Sequence, residues 1–159
     1  MRYFAIVILF LLLIPNINGV KSVKPVLNPI EVSTDDVMCL AKNIYYEAPA
    51  EPYLGKLAVA TVTMNRVRHP GFPKTVCGVV YQRNSRGCQF SWTCGPKARF
   101  NTRVYNQAVE IAKKVLTNNI QVVSLHNALY FHNTSVSPDW KFARPIVQIG
   151  AHIFYEPKS

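Results

Sequence analysis

The hydrophobic pattern of this chain changes from a helical period to short strand-like runs after residue 127, and no other feature constrains the fold as strongly. Apolar residues recur at a helical spacing through 34–47, 52–68 and 102–116. Strand-like runs then follow, at 128–132, 146–149 and 152–155. Helices first and strands later are typical of an α+β domain, whereas a parallel α/β fold would alternate them.

The ends of the first two helices are marked by residues suited to those positions. Ser33 is a favourable N-cap, and Asp35 and Asp36 suit the positive end of a helix dipole. Pro49 lacks an amide donor, so we expect the first helix to end or kink before it. A second helix, largely apolar all round and therefore buried, is predicted over 52–68.

Between the helices, the pattern over 88–94 predicts a strand or hairpin arm. Side chains alternate between the two faces of a strand. This prediction places Gln89 and Ser91 on one face, and Phe90 and Trp92 on the other.

The N-terminus has the layout of a secretory signal peptide. Arg2 is followed by an unbroken apolar run over Phe4–Ile14 and by small and polar residues up to Gly19. Cleavage there would leave 140 of the 159 residues, enough for one domain. An uncleaved anchor is the alternative, because no Ala-x-Ala site is present. The predicted organisation is a signal peptide over 1–19, an extended leader over 20–33 and a catalytic domain over 34–159.

The chain is strongly basic, with 18 Lys and Arg against 8 Asp and Glu and a formal charge of +10. Such an excess favours an anionic partner through long-range attraction. Only Lys113 and Lys114 are adjacent, whereas nucleic-acid readers more often carry a clustered basic stripe. Export also argues against nucleic acid, and the simplest alternative is that the charge only maintains solubility.

The four cysteines, an even number in an exported chain, predict disulfides. Three pairings are open for Cys39, Cys77, Cys88 and Cys94, although Cys88 and Cys94 could close the short segment between them. A zinc site is the alternative, but no Cys-x-x-Cys or regular histidine spacing supports it.

Few carboxylates are available for catalysis, and position excludes most of them. Most of them have a structural explanation, because they lie at a helix cap, on a polar helix face or near the terminus. The three without such an explanation are Glu47, Glu51 and Asp139. Glu47 borders the apolar arc of the first helix and lies at its C-terminal end. Burial and the helix dipole there both favour a protonated carboxyl, as a general acid requires. The alternative is an exposed glutamate paired with a lysine.

Several polar and aromatic residues could bind a sugar polymer. Aromatic faces suited to stacking on sugar rings, and polar groups that could bond to hydroxyls, are found at Tyr81, Gln89, Ser91, Trp92, Tyr130, His132 and Trp140. The alternative is that the aromatics form the core and that the histidine is satisfied internally.

Several ordered blocks of sequence occur between about Val37 and Tyr155. They are Ile44–Ala48 with Glu51-Pro52, Gly55–Ala60, Asn65–Val67, Val76–Gln82, Cys88–Cys94, Ala128–His132, Pro138-x-Trp140 and Ile149–Tyr155. Together these blocks resemble the SleB-type cell wall hydrolases, which are related to the spore-cortex-lytic enzymes.

The resemblance implies a two-lobed, lysozyme-like α+β domain, with a helical lobe and a small β lobe around a cleft. It implies that Glu47 is the catalytic glutamate and that Gln89, Trp92 and His132 line the cleft. This chain departs from the family between its two glutamates, where Pro49-Ala50 replaces the usual Arg-Gly. The departure leaves the role of Glu51 open.

The predicted function is cleavage of peptidoglycan glycan strands, by lytic transglycosylation that needs a single carboxyl. A two-carboxylate hydrolase, with Asp139 as the second acid, is one alternative. A non-catalytic wall-binding module is another, and a cysteine peptidase that uses Cys39 or Cys88 with His126 or His132 is a third. We expect an exported monomer that needs no metal or cofactor, binds no nucleic acid and has no stable membrane anchor once the signal is removed.

Overall fold

A computed structural model describes residues 32–85, 87–96 and 99–158. The predicted signal peptide over 1–19, and all of the predicted leader except its last two residues, lie outside the described residues. None of the described helices is both long and apolar enough to cross a membrane.

The first helix, α1, spans Thr34–Glu47 as predicted. Asp35 and Asp36 lie in its first turn, and Ser33 occupies the N-cap position without making a side-chain cap bond. The helix ends where the amide of Ala48 bonds to the carbonyl of Ile44, one residue before Pro49. Glu47 is therefore its last residue.

The second helix, α2, spans Tyr53–Arg68 and runs through the centre of the protein. It begins one residue later than predicted, because Pro52 takes the N-cap position. Residues 55–63 are all buried, as its apolar composition predicts. The buried hydroxyls of Thr61 and Thr63 are satisfied by the carbonyls one turn earlier, at 2.8 and 3.0 Å.

A disulfide explains why the segment 88–94 is not the predicted strand. A short helix α3, Val76–Val80, precedes a minimal hairpin of β1, Arg83–Asn84, and β2, Gly87–Cys88. The chain then forms a 3₁₀ turn over Ser91–Thr93. Cys88 and Cys94 are bonded, with Cα atoms 6.1 Å apart. Six residues of extended chain would span roughly 20 Å, so the bridged segment has to turn back.

The second disulfide, Cys39–Cys77, joins α1 to α3. All four cysteines are therefore paired, so the prediction of disulfides is confirmed. Of the three pairings that the sequence left open, the structure has Cys39–Cys77 with Cys88–Cys94.

The helix α4, Thr102–Asn118, packs along α1 and extends two residues beyond its predicted end. The Asn101 side chain caps it by accepting from the Val104 amide at 3.2 Å. Asn119 ends it in the left-handed conformation, with φ of 51°. The apolar arc of α4 is buried through Ala108, Ile111, Ala112 and Val115.

The larger sheet has three antiparallel strands: β3 at Tyr130–Asn133, β4 at Ala143–Ile149 and β5 at His152–Pro157. Their spatial order is β3-β5-β4, so the last strand in the chain lies in the middle. Gly150, with φ of 58°, forms the tight turn between β4 and β5. The predicted α+β class, with helices first and a small sheet later, is confirmed.

Two hydrophobic clusters hold these parts together. The larger joins α1, α3 and α4 with Leu57 and Ala60 of α2, and also contains Phe90 and Trp92. The smaller joins Ala58 and Val62 of α2 to Phe154 of the sheet. Because α2 contributes to both, it fixes the sheet relative to the helices.

Candidate active site

Glu47 lies at the end of α1, partly buried. Burial raises the pKa of its carboxyl from 4.5 to about 7, and the positive charge of Arg66 opposes the rise. A carboxyl with this pKa is protonated in a substantial fraction of molecules at neutral pH and can both donate and accept a proton. The direction of the shift is the one that its position in the sequence predicts.

Arg66 is a site residue that sequence reasoning missed as a functional group. It is 3% exposed, and its Nε donates to the Leu129 carbonyl at 2.7 Å. Its guanidinium lies against the rings of Phe72 and Phe90, at 5.5 and 5.2 Å. Burial lowers its pKa to about 10, while Tyr130 and Glu47 act in the opposite direction, so it stays charged at neutral pH. The signal in the sequence was an arginine in a helix that is otherwise predicted to be buried.

Trp92 is held beside α1 by a chain of buried polar side chains. Its Nε1 donates to Asn43 Oδ1 at 3.2 Å, and Asn43 Nδ2 donates to Thr63 Oγ1 at 3.0 Å. Its ring stacks on Tyr46 with centroids 4.6 Å apart. Trp92 is only 8% exposed, so it belongs mainly to the wall that surrounds the end of α1. Asn43 was not predicted, because a buried asparagine cannot be distinguished by sequence from one on a polar face.

The other residues predicted near Trp92 differ in their exposure. Tyr81 is 43% exposed and meets the Trp92 ring edge-on, with centroids 5.8 Å apart. Gln89 is partly buried, and its backbone N–H donates to the backbone carbonyl of Gln82 at 2.9 Å. Ser91 is exposed at the start of the 3₁₀ turn. The predicted shared face of Gln89 and Ser91 is wrong, because this segment is not a strand.

Tyr130, His132 and Trp140 form a second aromatic cluster on the sheet, together with Phe142 and Tyr155. The Trp140 ring lies 5.9 Å from Tyr130 and 5.5 Å from His132. His132 Nε2 lies 2.8 Å from the Tyr155 hydroxyl, and Nδ1 lies 2.9 Å from the Asn133 carbonyl. The carbonyl only accepts, so Nδ1 carries a hydrogen, and both ring nitrogens have protein partners.

Arg66 connects α2 to the start of β3, through its bond to the Leu129 carbonyl. Its charge interacts with both Glu47 and Tyr130. Phe90, which contacts its guanidinium, also packs against Phe131 of β3 with centroids 6.3 Å apart. Arg66 and Phe90 therefore connect the helices near Glu47 to the core-facing side of β3, where Phe131 lies.

Glu51 is buried and serves as a link between the two parts of the protein. Its Oε1 accepts from the Ala151 amide at 3.0 Å and lies 3.5 Å from His152 Nδ1. Its backbone carbonyl accepts from Lys56 Nζ. The carboxylate also packs against the Cα atoms of Gly55 and Gly150, where an added methyl group would overlap it.

Asp139, the other predicted carboxylate, lies on the surface. Its side chain is 82% exposed and lies 3.7 Å from Lys141 Nζ. An acid in this position is surrounded by solvent rather than enclosed by the protein.

The described residues offer neither a metal centre nor a thiol nucleophile. No group of three or more His, Cys, Asp or Glu side chains within them could hold a metal ion. The cysteine peptidase alternative is wrong, because Cys39 and Cys88 are both in disulfides.

Comparison with known proteins gives a consistent relationship. The Cell Wall Hydrolase family matches residues 50–155, a range that begins just after Glu47. The spore cortex-lytic enzyme of Bacillus cereus is 36% identical over 129 residues, which cover 79% of this chain and 46% of that protein. The spore cortex-lytic enzyme of Bacillus subtilis is 36% identical over 128 residues, which cover 78% of this chain and 38% of that protein. The chain thus spans less than half the length of these relatives.

Two solved structures have the same fold. The catalytic domain of the germination-specific lytic transglycosylase SleB from Bacillus anthracis is 29% identical, with a TM-score of 0.62, and the match covers 80% of this chain and 99% of that domain. The catalytic domain of Bacillus cereus SleB is also 29% identical, with a TM-score of 0.58, and covers 80% of this chain and 94% of that domain.

Fold and sequence together define a lysozyme-like domain of the same class as the SleB catalytic domains. The chain belongs to the Cell Wall Hydrolase family, as its sequence blocks predict.

Proposed function

We propose that this chain is an exported enzyme that cleaves peptidoglycan glycan strands between N-acetylmuramic acid and N-acetylglucosamine. In this proposal it acts as a lytic transglycosylase and leaves 1,6-anhydro-muramic acid ends. The observation that carries the proposal is the partly buried Glu47, whose pKa is raised to about 7. Family membership and the SleB structures support it independently.

The proposed chemistry needs one carboxyl used twice. Protonated Glu47 donates its proton to the glycosidic oxygen as the bond to the anomeric carbon breaks. The resulting carboxylate then takes the proton of the muramic acid C6 hydroxyl, whose oxygen bonds to the same anomeric carbon. Glu47 ends protonated, so the cycle consumes no water and needs no second acid.

The environment of the other carboxylates favours this route over hydrolysis. A hydrolase of the usual kind needs a second carboxylate opposite the first. Glu51 is bound to the β4–β5 turn, and Asp139 is an exposed group beside Lys141. Neither carboxylate is positioned to act as a base or nucleophile opposite Glu47. The alternative, a two-carboxylate muramidase, is tested by analysis of the products.

We propose that the glycan contacts aromatic and polar groups on both sides of Arg66. Tyr81, Tyr130 and Trp140 retain exposed or partly exposed rings suitable for stacking. Trp92 is only 8% exposed, so it would form part of the wall of the site and contact the glycan through the edge of its ring rather than through its face. Gln89, Ser91 and His132 are the proposed hydrogen-bonding groups.

The proposed partner is the peptidoglycan strand itself, and the net charge of +10 would favour association with an anionic wall. We further propose that the protein acts as a monomer outside the cytoplasm, in the periplasm, cell wall or medium. A cleaved signal peptide would leave it without a stable membrane anchor, and no role in binding nucleic acid is proposed.

Digestion of purified sacculi, followed by mass spectrometry of the products, tests the proposal. We expect wild-type protein to release muropeptides with anhydro ends, and Glu47→Gln to reduce the rate by at least about a hundredfold. Glu110→Gln, on the exposed face of α4, is the matched control and should retain full activity. Products with reducing ends would identify a hydrolase, and unchanged release by Glu47→Gln would exclude this role for Glu47.

The alternative of a non-catalytic wall-binding module gives a different result in the same experiment. Such a module would sediment with sacculi while their turbidity stayed constant and no muropeptide appeared.

A further inference from the structure

An open cavity of about 770 Å³, lined mainly by polar side chains that are largely exposed to solvent, lies at the C-terminal end of α2, and the proposed chemistry does not use it. Its walls come from the last turn of α2, the segment after α4 and the adjoining ends of β4 and β5. Glu47 is not among its lining residues. Those that matter for its chemistry are Arg68, His126, Asn127, Arg144, Glu156 and Lys158.

The walls of this cavity are held together by specific hydrogen bonds. Buried Asn65 donates from Nδ2 to the carbonyls of Leu125 and Ala128, at 2.7 and 3.0 Å. The Lys158 amide donates to the Phe142 carbonyl at 2.9 Å. Because three separate elements are fixed in this way, the cavity is formed before any ligand arrives.

Arg68 is oriented without being neutralised. Its Nη2 donates to Asn119 Oδ1 at 2.7 Å, and its Nη1 lies 3.3 Å from Gln121 Oε1. Both acceptors are neutral amides, so they fix the guanidinium while leaving its positive charge uncompensated. Among the lining residues, the only acid is Glu156, which pairs with Arg144 at 2.6 Å. Arg68 and Lys158 therefore give the cavity a net positive charge.

We propose that this cavity binds a carboxylate of the peptide stems attached to the glycan strand. A guanidinium recognises a carboxylate in a planar, two-bond geometry, and Asn127 and His126 provide further polar groups around it. The inference rests on the proposed function, because peptidoglycan is the substrate that carries such stems. It adds a second contact, separate from the sugar site, that would anchor the strand during cleavage.

Titration with a soluble stem tetrapeptide, free of sugar, tests the site by NMR or calorimetry at low ionic strength. We expect wild-type protein to bind it, and Arg68→Gln and Lys158→Gln each to weaken binding by roughly tenfold. Lys158→Gln keeps the backbone bond to Phe142 and so separates loss of charge from loss of fold. Lys113→Gln removes the same charge from α4, away from the cavity, and should bind as tightly as wild type.

Three results would overturn the inference: no binding of the peptide, equal weakening by Lys113→Gln, or binding of a glycerol-phosphate oligomer in place of the peptide. The last would assign the cavity to phosphodiesters. The titration needs no glycan cleavage, so its failure is distinct from inactivity on sacculi. A second arm compares sacculi with glycan strands stripped of their stems: Arg68→Gln should slow cleavage of the first and leave cleavage of the second unchanged.

Discussion

At the scale of single residues, the raised pKa of Glu47 has a measurable effect on stability. The folded protein holds this proton more tightly than the unfolded chain, because burial disfavours the carboxylate. The contribution of Glu47 to stability is therefore complete below pH 4.5 and is lost as the pH rises to about 7. When Glu47 is ionised, its burial therefore lowers the free energy of unfolding.

Replacing Glu47 by glutamine should stabilise the protein at neutral and alkaline pH. The amide is never charged, so Glu47→Gln should gain on the order of 2–3 kcal/mol above pH 7 and almost nothing at pH 4. Urea unfolding at both pH values measures the difference. Glu110→Gln, at an exposed position, should change stability by less than about 0.5 kcal/mol at either pH. A gain for Glu47→Gln that does not depend on pH would contradict the assigned burial of the charge.

Asn43 is the residue whose loss should most disturb the surroundings of Glu47. Asn43→Leu removes the partners of Trp92 Nε1 and of Thr63 Oγ1, and the buried indole N–H would be left without an acceptor. We expect a loss of about 2 kcal/mol in the free energy of unfolding. The matched change on the surface of α4, Asn106→Leu, should cost less than about 0.5 kcal/mol.

Fluorescence of the tryptophans provides an independent measurement on the same variant. If Asn43→Leu leaves both the unfolding free energy and the quenching of Trp92 unchanged, the buried polar chain does not hold this ring.

Predictability at the residue scale depended on whether a role left a mark in the local pattern. Glu47 did, because a carboxylate on an apolar arc at a helix end is unusual. Arg66 left only a weak mark, as an arginine in a helix predicted to be buried, and Asn43 left none. Their partners Leu129, Phe90 and Trp92 are distant in sequence and are known only once the chain is folded.

At the scale of elements, the Glu51 contact couples the α1–α2 connection to the β4–β5 turn. The carboxylate bonds to the Ala151 amide and fills the space over Gly150. The chain carries Pro49-Ala50 where the family resemblance predicts Arg-Gly, yet the connection still brings Glu51 to this turn. The structure thus gives Glu51 a contact that joins these two elements.

A double-mutant cycle tests this coupling. In the wild type, Gly150→Ala brings a methyl group into the Glu51 carboxylate and also strains a backbone with φ of 58°. In a Glu51→Ala background only the strain remains, about 1 kcal/mol. We expect Gly150→Ala to destabilise the wild type by at least about 1 kcal/mol more than the Glu51→Ala protein. Equal costs in the two backgrounds, measured by urea unfolding, would show that the side chains do not interact.

Elements with a regular hydrophobic period were predicted well. The helices α1, α2 and α4 begin or end within two residues of their predicted bounds, and all three strands of the larger sheet were located. The strand predicted over 88–94 was wrong, because the conformation of this segment is set by a covalent link between its ends. Alternation of side chains carries no information about such a closure.

At the scale of the whole molecule, the two disulfides should contribute unequally to stability. Cys39–Cys77 closes a loop with a sequence separation of 38, whereas Cys88–Cys94 closes one of 6. Loop-closure entropy predicts about 4 kcal/mol for the first and about 2 kcal/mol for the second. Thermal unfolding of the two double Cys→Ala variants measures the contributions. A larger loss from the shorter loop would contradict this account.

The order β3-β5-β4 has a consequence for the time at which the molecule can assemble. The middle strand follows both of its neighbours in the chain, so β3 and β4 have no sheet partner until 152–157 have been synthesised. The helices, by contrast, have most of their partners earlier in translation. A nascent chain should therefore collapse around its helices first and leave its two outer strands unpaired, open to a chaperone or an export factor, until residues 152–157 have left the ribosome.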